Sequence, residues 1–216
     1  MRDTLAVYLK RRVLIVLLLG FSSGLPLVLT TSTLQAWMTQ SGIDIRTIGL
    51  FAAVGVPYSI KFLWAPLVDA LDVPVLSRLL GRRRGWLLFT QLWLMVAIVL
   101  LALCDPAGSV LTIAIGAVFV ATASATQDIV IDAFRVESLS ESEQAAGLAA
   151  YVAAYRIGVL VAGAGALILV AGLRGLKLGD HTAWATCYAV MAVLITVGIV
   201  ATFLAAEPQK PGSAAI

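Results

Sequence analysis

The sequence predicts an all-α membrane protein built as a bundle of six transmembrane helices. Three observations carry that prediction: 61% of the 216 residues are hydrophobic, only 12% are charged, and long apolar runs recur six times. Soluble domains of this size carry about twice that share of charge. A hydrocarbon core roughly 30 Å thick takes about 20 apolar residues in a helix. The mean hydropathy of +0.99 agrees with that class.

The runs cover about 13–37, 48–71, 86–104, 110–133, 147–172 and 183–205. The first is too long for a cleaved signal peptide, and its polar residues lie inside it. Connections are short, so 1–205 reads as one six-helix unit and 206–216 as the start of an interdomain linker or a cytoplasmic tail. Lys and Arg in the short loops set the orientation. Arg2, Lys10, Arg11, Arg12, Arg78, Arg82, Arg83, Arg84, Arg135 and Lys210 fall on one side, against Arg46, Arg174 and Lys177 on the other. Ten against three predicts both termini in the cytoplasm. The net charge of +3 therefore reflects topology, and nucleic acid is not an expected partner. Gly81-Arg82-Arg83-Arg84 reads as a headgroup anchor before a phosphate site. Two isolated cysteines, Cys104 and Cys187, predict neither a metal site nor a disulfide.

The first run carries Ser23, Pro26, Thr30, Thr33 and Trp37 on one face, since residues three and four apart align on a helix. Gly24 and Pro26 interrupt it near mid-span, either as a simple kink or as a cavity wall. Gln35 and Trp37 lie toward its outer end. The second run places Lys61 near the membrane middle, with Pro57 and Pro66 on either side and Asp69 at the inner boundary. An isolated ammonium there costs about 3 kcal/mol on insertion scales. Lys61 needs a carboxylate, a wet cavity or a snorkelling path.

The third run has only Thr90 and Gln91 as polar residues beyond its inner end, and the sixth only scattered Thr; both read as lipid-facing. The fourth is the richest. Ser124, Asp128, Asp132 and Arg135 follow at spacings of four, four and three, with Gln127 alongside. A buried carboxylate near a cation suits proton carriage. A permanent ion-paired strut is the alternative for Asp128 and for Asp132. The fifth run aligns Tyr151, Tyr155, Gly158, Ala162 and Gly165, a spacing that favours close helix packing. Arg156, about ten residues in, keeps its proton; it either reaches toward Asp128 or holds an anionic solute by paired contacts.

A weak internal repeat accompanies this division. Ser32-Thr33-Leu34-Gln35 resembles Ser124-Ala125-Thr126-Gln127, and Tyr58-Ser59-Ile60-Lys61 loosely resembles Ala153-Ala154-Tyr155-Arg156. The offsets of 92 and 95 lay runs one to three over runs four to six. Three helices per copy make this a 3+3 inverted repeat, a known transporter construction. Enzyme classes fit poorly. No Asp-Gly pair supports a CDP-alcohol phosphotransferase, no Gly-x-Gly-Asp supports an intramembrane aspartyl protease, and one His, at 181, supports no zinc or His-based chemistry. No cofactor is expected.

Several stretches resemble the N-terminal half of AmpG-type muropeptide permeases of the major facilitator superfamily. They are Gly20-Phe21-Ser22-Ser23-Gly24-Leu25-Pro26-Leu27, Leu34-Gln35-Ala36-Trp37-Met38, Lys61-Phe62-Leu63-Trp64-Ala65-Pro66-Leu67, Gly81-Arg82-Arg83-Arg84-Gly85-Trp86, Ala125-Thr126-Gln127-Asp128-Ile129-Val130-Ile131-Asp132-Ala133 and Tyr155-Arg156-Ile157-Gly158. The resemblance implies half of a major facilitator fold in a bacterial inner membrane. It also implies proton-coupled import of anhydromuropeptides for peptidoglycan recycling. Acetyl-CoA or another anionic solute is the alternative substrate within the same family, and a non-transporting membrane interaction partner the alternative role. Asp128 and Asp132 become candidate proton sites. Arg156, Lys61, Gln35, Gln127, Tyr155 and Trp37 become candidate substrate contacts. Asp69, Arg82 and Arg135 become inner-gate residues through the facilitator loop motif, which here has Ala65 for its first Gly and an insertion before Gly81. Family members have about twelve helices, so a second six-helix half is expected, either on a missing stretch or on a second chain.

Overall fold

In a computed structural model the protein is described over residues 6–208 and is helical throughout, with no strand among the described residues. The basic residues Arg2 and Lys210, and most of the 206–216 tail, lie outside the described residues. Among the described residues, five helices are long and apolar enough to cross a membrane: Arg11–Gln40, Arg82–Ala102, Val110–Ser138, Glu141–Gly175 and Asp180–Leu204.

The first crossing is two helices, α1 (Arg11–Thr30) and α2 (Ser32–Gln40). Pro26 has no N–H to give to the carbonyl four residues back, which weakens the ladder at mid-span. The Thr30 and Thr31 hydroxyls donate back to the Leu27 carbonyl at 3.1 and 2.8 Å. Such back-bonding bends helices, and the chain breaks at Thr31 (φ −116°, ψ −106°).

The second run departs from the single helix expected over 48–71. It is a chain of short pieces: α3 (Ile45–Leu50), a 3₁₀ turn (Phe51–Gly55), α4 (Val56–Ile60), a 3₁₀ turn (Lys61–Leu63) and α5 (Ala65–Ala70). Pro57 and Pro66 each remove a ladder bond, and Gly49 and Gly55 add backbone freedom, so no stretch stays regular. A further short helix, α6 (Leu76–Leu80), leads into α7 (Arg82–Ala102). Then follow α8 (Val110–Ser138), α9 (Glu141–Leu160), a π turn (Val161–Gly165), α10 (Ala166–Gly175), α11 (Asp180–Leu194) and α12 (Thr196–Leu204). Ser109 caps α8 through the Thr112 amide, and Ser140 with Glu143 forms a capping box on α9.

Packing follows the polar and small residues. α1 lies tightest against α9: a Cβ on Gly20 or Gly24 would strike the Tyr151 or Tyr155 backbone, and one on Gly158 would strike Phe21 and Gly24. The other main neighbours are α7 with α8, α11 and α12 with α7, α12 with α1, α1 with α8, and the pieces of the second run with α8. This set maps onto itself when runs one, two and three exchange with runs four, five and six. One–five becomes four–two, and three–four becomes six–one. That is the pairing an internal 3+3 repeat requires.

The third and sixth runs are less bland than their composition suggests. Gln91 and Thr202 are fully buried, and the Thr202 hydroxyl donates to Gln91 Oε1 at 3.0 Å, joining α7 to α12. Cys104 and Cys187 are free thiols.

Candidate functional site

The polar residues of the bundle middle converge on Asp128. α8 carries it ten residues before its last residue, about 15 Å along the axis at 1.5 Å per residue. Ser23, on the inward stripe of α1, donates to Asp128 Oδ1 at 2.6 Å. The same Ser23 oxygen lies 3.0 Å from the Tyr151 hydroxyl of α9. Lys61, at the start of a 3₁₀ turn, places its ammonium 3.7 Å from Asp128 Oδ2. Their side chains are 32% and 15% exposed respectively, so the pair sits in a partly enclosed recess. Four runs therefore contribute to one cluster.

Such a cluster answers the cost of a charge in hydrocarbon. The carboxylate takes a short, charge-assisted hydrogen bond on one oxygen and faces a cation on the other. A pair at 3.7 Å falls short of a direct hydrogen bond, so its hold is Coulombic and breakable. Tyr155 stands one turn from Tyr151, ring centroids 6.1 Å apart, and is half-buried. Arg156 is exposed on the same helix, and among the described residues it makes no ion pair with Asp128. Of the two roles left open for Arg156, reaching to Asp128 is not the one seen.

Other expected residues fall elsewhere. Asp132 is exposed and pairs with Arg135 at 3.6 Å along its own helix. Gln35 is half-buried on α2. Gln127 is fully enclosed, and neither of its amide atoms has a protein partner among the described residues. Trp37 is 1% exposed, stacked on Trp184 (5.8 Å) and close to Tyr188 (5.2 Å). Its stripe position points it into the bundle, where it packs α2 on α11 and lines a cavity of about 250 Å³ with Gln40, His181 and Trp184.

At the basic end a second cluster forms around Arg83, which is 5% exposed. Its guanidinium holds Asp69 at 2.7 Å and grips Glu137 with two nitrogens, Nε at 2.9 Å. Arg82 instead donates to the Asp69 carbonyl, with Glu137 3.9 Å away. Of the expected trio, Asp69 and Arg82 join this cluster, whose hub is Arg83, and Arg135 turns to Asp132. Glu207, beyond the last helix, accepts from the Arg83 and Arg84 amides at 2.8 and 3.0 Å. Arg84 in turn donates to the Thr202 carbonyl at 3.0 Å. The N-terminus of α7 and the C-terminus of α12 thus cap each other. A cavity of about 400 Å³ beside this cluster is lined by Arg12, Phe134, Glu137, Ser138 and Glu207, among others.

Sequence reasoning missed Tyr151 as a polar partner, and Arg83, Glu137 and Glu207. Tyr151 was read only as a packing residue, although its place one turn before Tyr155 puts both phenols on one face. Arg83 could not be told from Arg82 and Arg84 by spacing, because the insertion before Gly81 obscures the register.

Residues 12–119, half of the chain, match the family described as Acetyl-coenzyme A transporter 1. The anhydromuropeptide permease of Escherichia coli K12 is 46% identical over 204 residues, covering 94% of this chain and 39% of that protein. An uncharacterized protein of Haemophilus influenzae is 39% identical over 92% of this chain and 44% of its own length. The Rickettsia felis protein named AmpG 4 is 35% identical over 90% of this chain and 45% of its own. The chain thus spans roughly two-fifths of the length of the curated relatives it matches. A motif series in one order, a helical bundle with charges gathered at its middle, and these similarities lead to one conclusion: the chain belongs to the acetyl-coenzyme A transporter 1 family, as a member of AmpG type.

Proposed function

We propose that this chain is the N-terminal half of a proton-coupled importer of anhydromuropeptides, lying in a bacterial inner membrane with its basic end in the cytoplasm. The observation that carries the reading is the Lys61–Asp128 pair at mid-depth, closed on one side by Ser23 and open on the other. Ionised groups persist there only against a hydrophilic passage. In the proposed cycle a proton entering from the periplasm neutralises Asp128. Its hold on Lys61 weakens, and Lys61 and Arg156 then face an anionic solute, with Tyr155 and Gln35 as sugar or peptide contacts. The Arg83 cluster is the latch of the cytoplasmic gate. A second six-helix half supplies the opposite wall, as rocking-bundle transport requires. The substrate class follows the name of the E. coli relative.

The test joins this chain to the C-terminal half of the E. coli permease and measures uptake of labelled anhydromuropeptide into vesicles. Uptake driven by an imposed proton gradient is expected, and Asp128→Asn should lower accumulation at least tenfold, on the order expected for loss of a proton carrier, while solute exchange survives. Full proton-driven accumulation in Asp128→Asn would remove the proton assignment. Preference for acetyl-CoA over the muropeptide would move the chain to the substrate for which the family is named.

A further inference from the structure

Ser23 has one hydroxyl proton to share between two neighbours, and that restricts what the cluster can do. Its oxygen lies 2.6 Å from Asp128 Oδ1 and 3.0 Å from the Tyr151 hydroxyl. An ionised carboxylate only accepts. With Asp128 charged, Ser23 must donate to Asp128, and Tyr151 must donate to Ser23. All the protons of the chain point inward, toward the carboxylate.

Protonation upsets that order. The incoming proton has two oxygens to choose from, and the Lys61 ammonium faces Oδ2 at 3.7 Å. An ammonium is donor-only, so a hydroxyl on that oxygen would set a proton against a cation. Oδ1 is the favoured site. Once it carries the proton, Asp128 donates to Ser23, Ser23 donates to the Tyr151 oxygen, and the Tyr151 hydrogen must leave Ser23. Among the described residues the Tyr151 hydroxyl bonds only to Ser23. The freed hydrogen is then open to an outside acceptor, because Tyr151 is only half-buried and half-buried Tyr155 stands beside it on the same helix.

We propose that Ser23 and Tyr151 relay the protonation of Asp128 to the cleft, making Tyr151 a hydrogen-bond donor to an acceptor-rich solute only when the proton is aboard. The inference deepens the transport reading and rests on it. It supplies a reason for proton and solute to bind together: the proton taken up by Asp128 turns the Ser23 and Tyr151 hydroxyls outward in sequence, each keeping its own hydrogen, and no charge moves beyond Asp128. The other groups around the carboxyl are accounted for. Lys61 and Tyr58 face it from the second run, Tyr151 and Tyr155 from α9, and Asp132 lies one turn along α8.

Infrared difference spectra of this chain in lipid nanodiscs, acid minus neutral, test the relay without transport. A carboxyl band that disappears in Asp128→Asn identifies the proton on Asp128. In the unaltered chain a phenol band that disappears in Tyr151→Phe should change over the same pH range. Ser23→Ala should keep the carboxyl band, moved to higher wavenumber, and lose the Tyr151 change; Ser23→Thr should restore it. A Tyr151 band that is indifferent to acidification, or that still responds in Ser23→Ala, overturns the relay while leaving Asp128 as the proton site. A missing Asp128 band overturns the relay and the transport reading together. In the joined transporter Tyr151→Phe should raise KM about tenfold, the worth of one hydrogen bond to a polar solute. An unchanged KM overturns the role of Tyr151 as donor.

Discussion

Asp128 and Lys61 hold one another at 3.7 Å inside a largely apolar bundle, and neither has a bidentate partner. Removing one member leaves the other charged and poorly solvated, whereas removing both restores neutrality. Lys61→Met alone should destabilise the protein in detergent by about 1–3 kcal/mol, less than for a fully dry pair because Lys61 is a third exposed. The double replacement Lys61→Met with Asp128→Asn should recover most of that loss. Thermal unfolding of the four proteins of this cycle measures the coupling directly. Additive losses would show that the two charges ignore each other. At this scale much was legible from sequence, because a charge in an apolar run has few ways to survive. Asp128 and Lys61 were found in that way. Ser23 and Tyr151 carry no charge, and hydroxyls are common in helices for other reasons. Only their three-dimensional approach gives them a role.

Among elements, the α1–α9 contact is the tightest in the bundle. Gly20 and Gly24 face the backbone of Tyr151 and Tyr155, and Gly158 faces back. The contact places Ser23 within reach of Tyr151, so packing and site geometry depend on the same missing side chains. Gly24→Leu should force the helices apart and cost on the order of 2–4 kcal/mol, as overpacking at a close backbone crossing does. It should also lower the midpoint of heat-induced aggregation in detergent; an unchanged midpoint would mean the helices already sit further apart. The paired breaks are related. The Thr33 hydroxyl of α2 donates to the Ala162 carbonyl at 2.7 Å, inside the π turn that interrupts the fifth crossing. π turns leave carbonyls looking for donors. The small-residue face of the fifth run foretold close packing. The π turn had no separate signal, since Val161–Gly165 is as apolar as its surroundings. The fragmented second run was half legible: Pro57 and Pro66 marked weak points, but hydropathy alone merged the pieces into one crossing.

For the whole molecule, the two ends differ in chemistry. The Arg83 cluster, Lys10 with Glu143, and the Glu207 cap gather at one end. At the other, Trp184 donates to Gln40 at 3.1 Å, and His181 meets the Cys104 carbonyl at 3.3 Å. Basic residues are retained in the cytoplasm, so Cys104 should face the periplasm. A membrane-impermeant maleimide added to intact spheroplasts should label Cys104, which is partly exposed, and spare Cys187, which is buried. Labelling only after membrane disruption would invert the orientation. The bundle as a class was the most legible feature, because water exclusion acts on every residue of a crossing at once. Its internal symmetry was faint in sequence, resting on two short matches, and is far plainer in which helices touch.

The seat of Glu207 bears on where this unit can be cut. Apolar character ends at residue 205, yet the carboxylate two positions later supplies acceptors to the first turn of α7, and Gly81 (φ +93°) has no room there for any side chain. A protein engineer who trims the chain where its oiliness stops would remove a keystone set more than a hundred residues away in sequence. The shortest fragment that keeps its own fastening runs through Glu207.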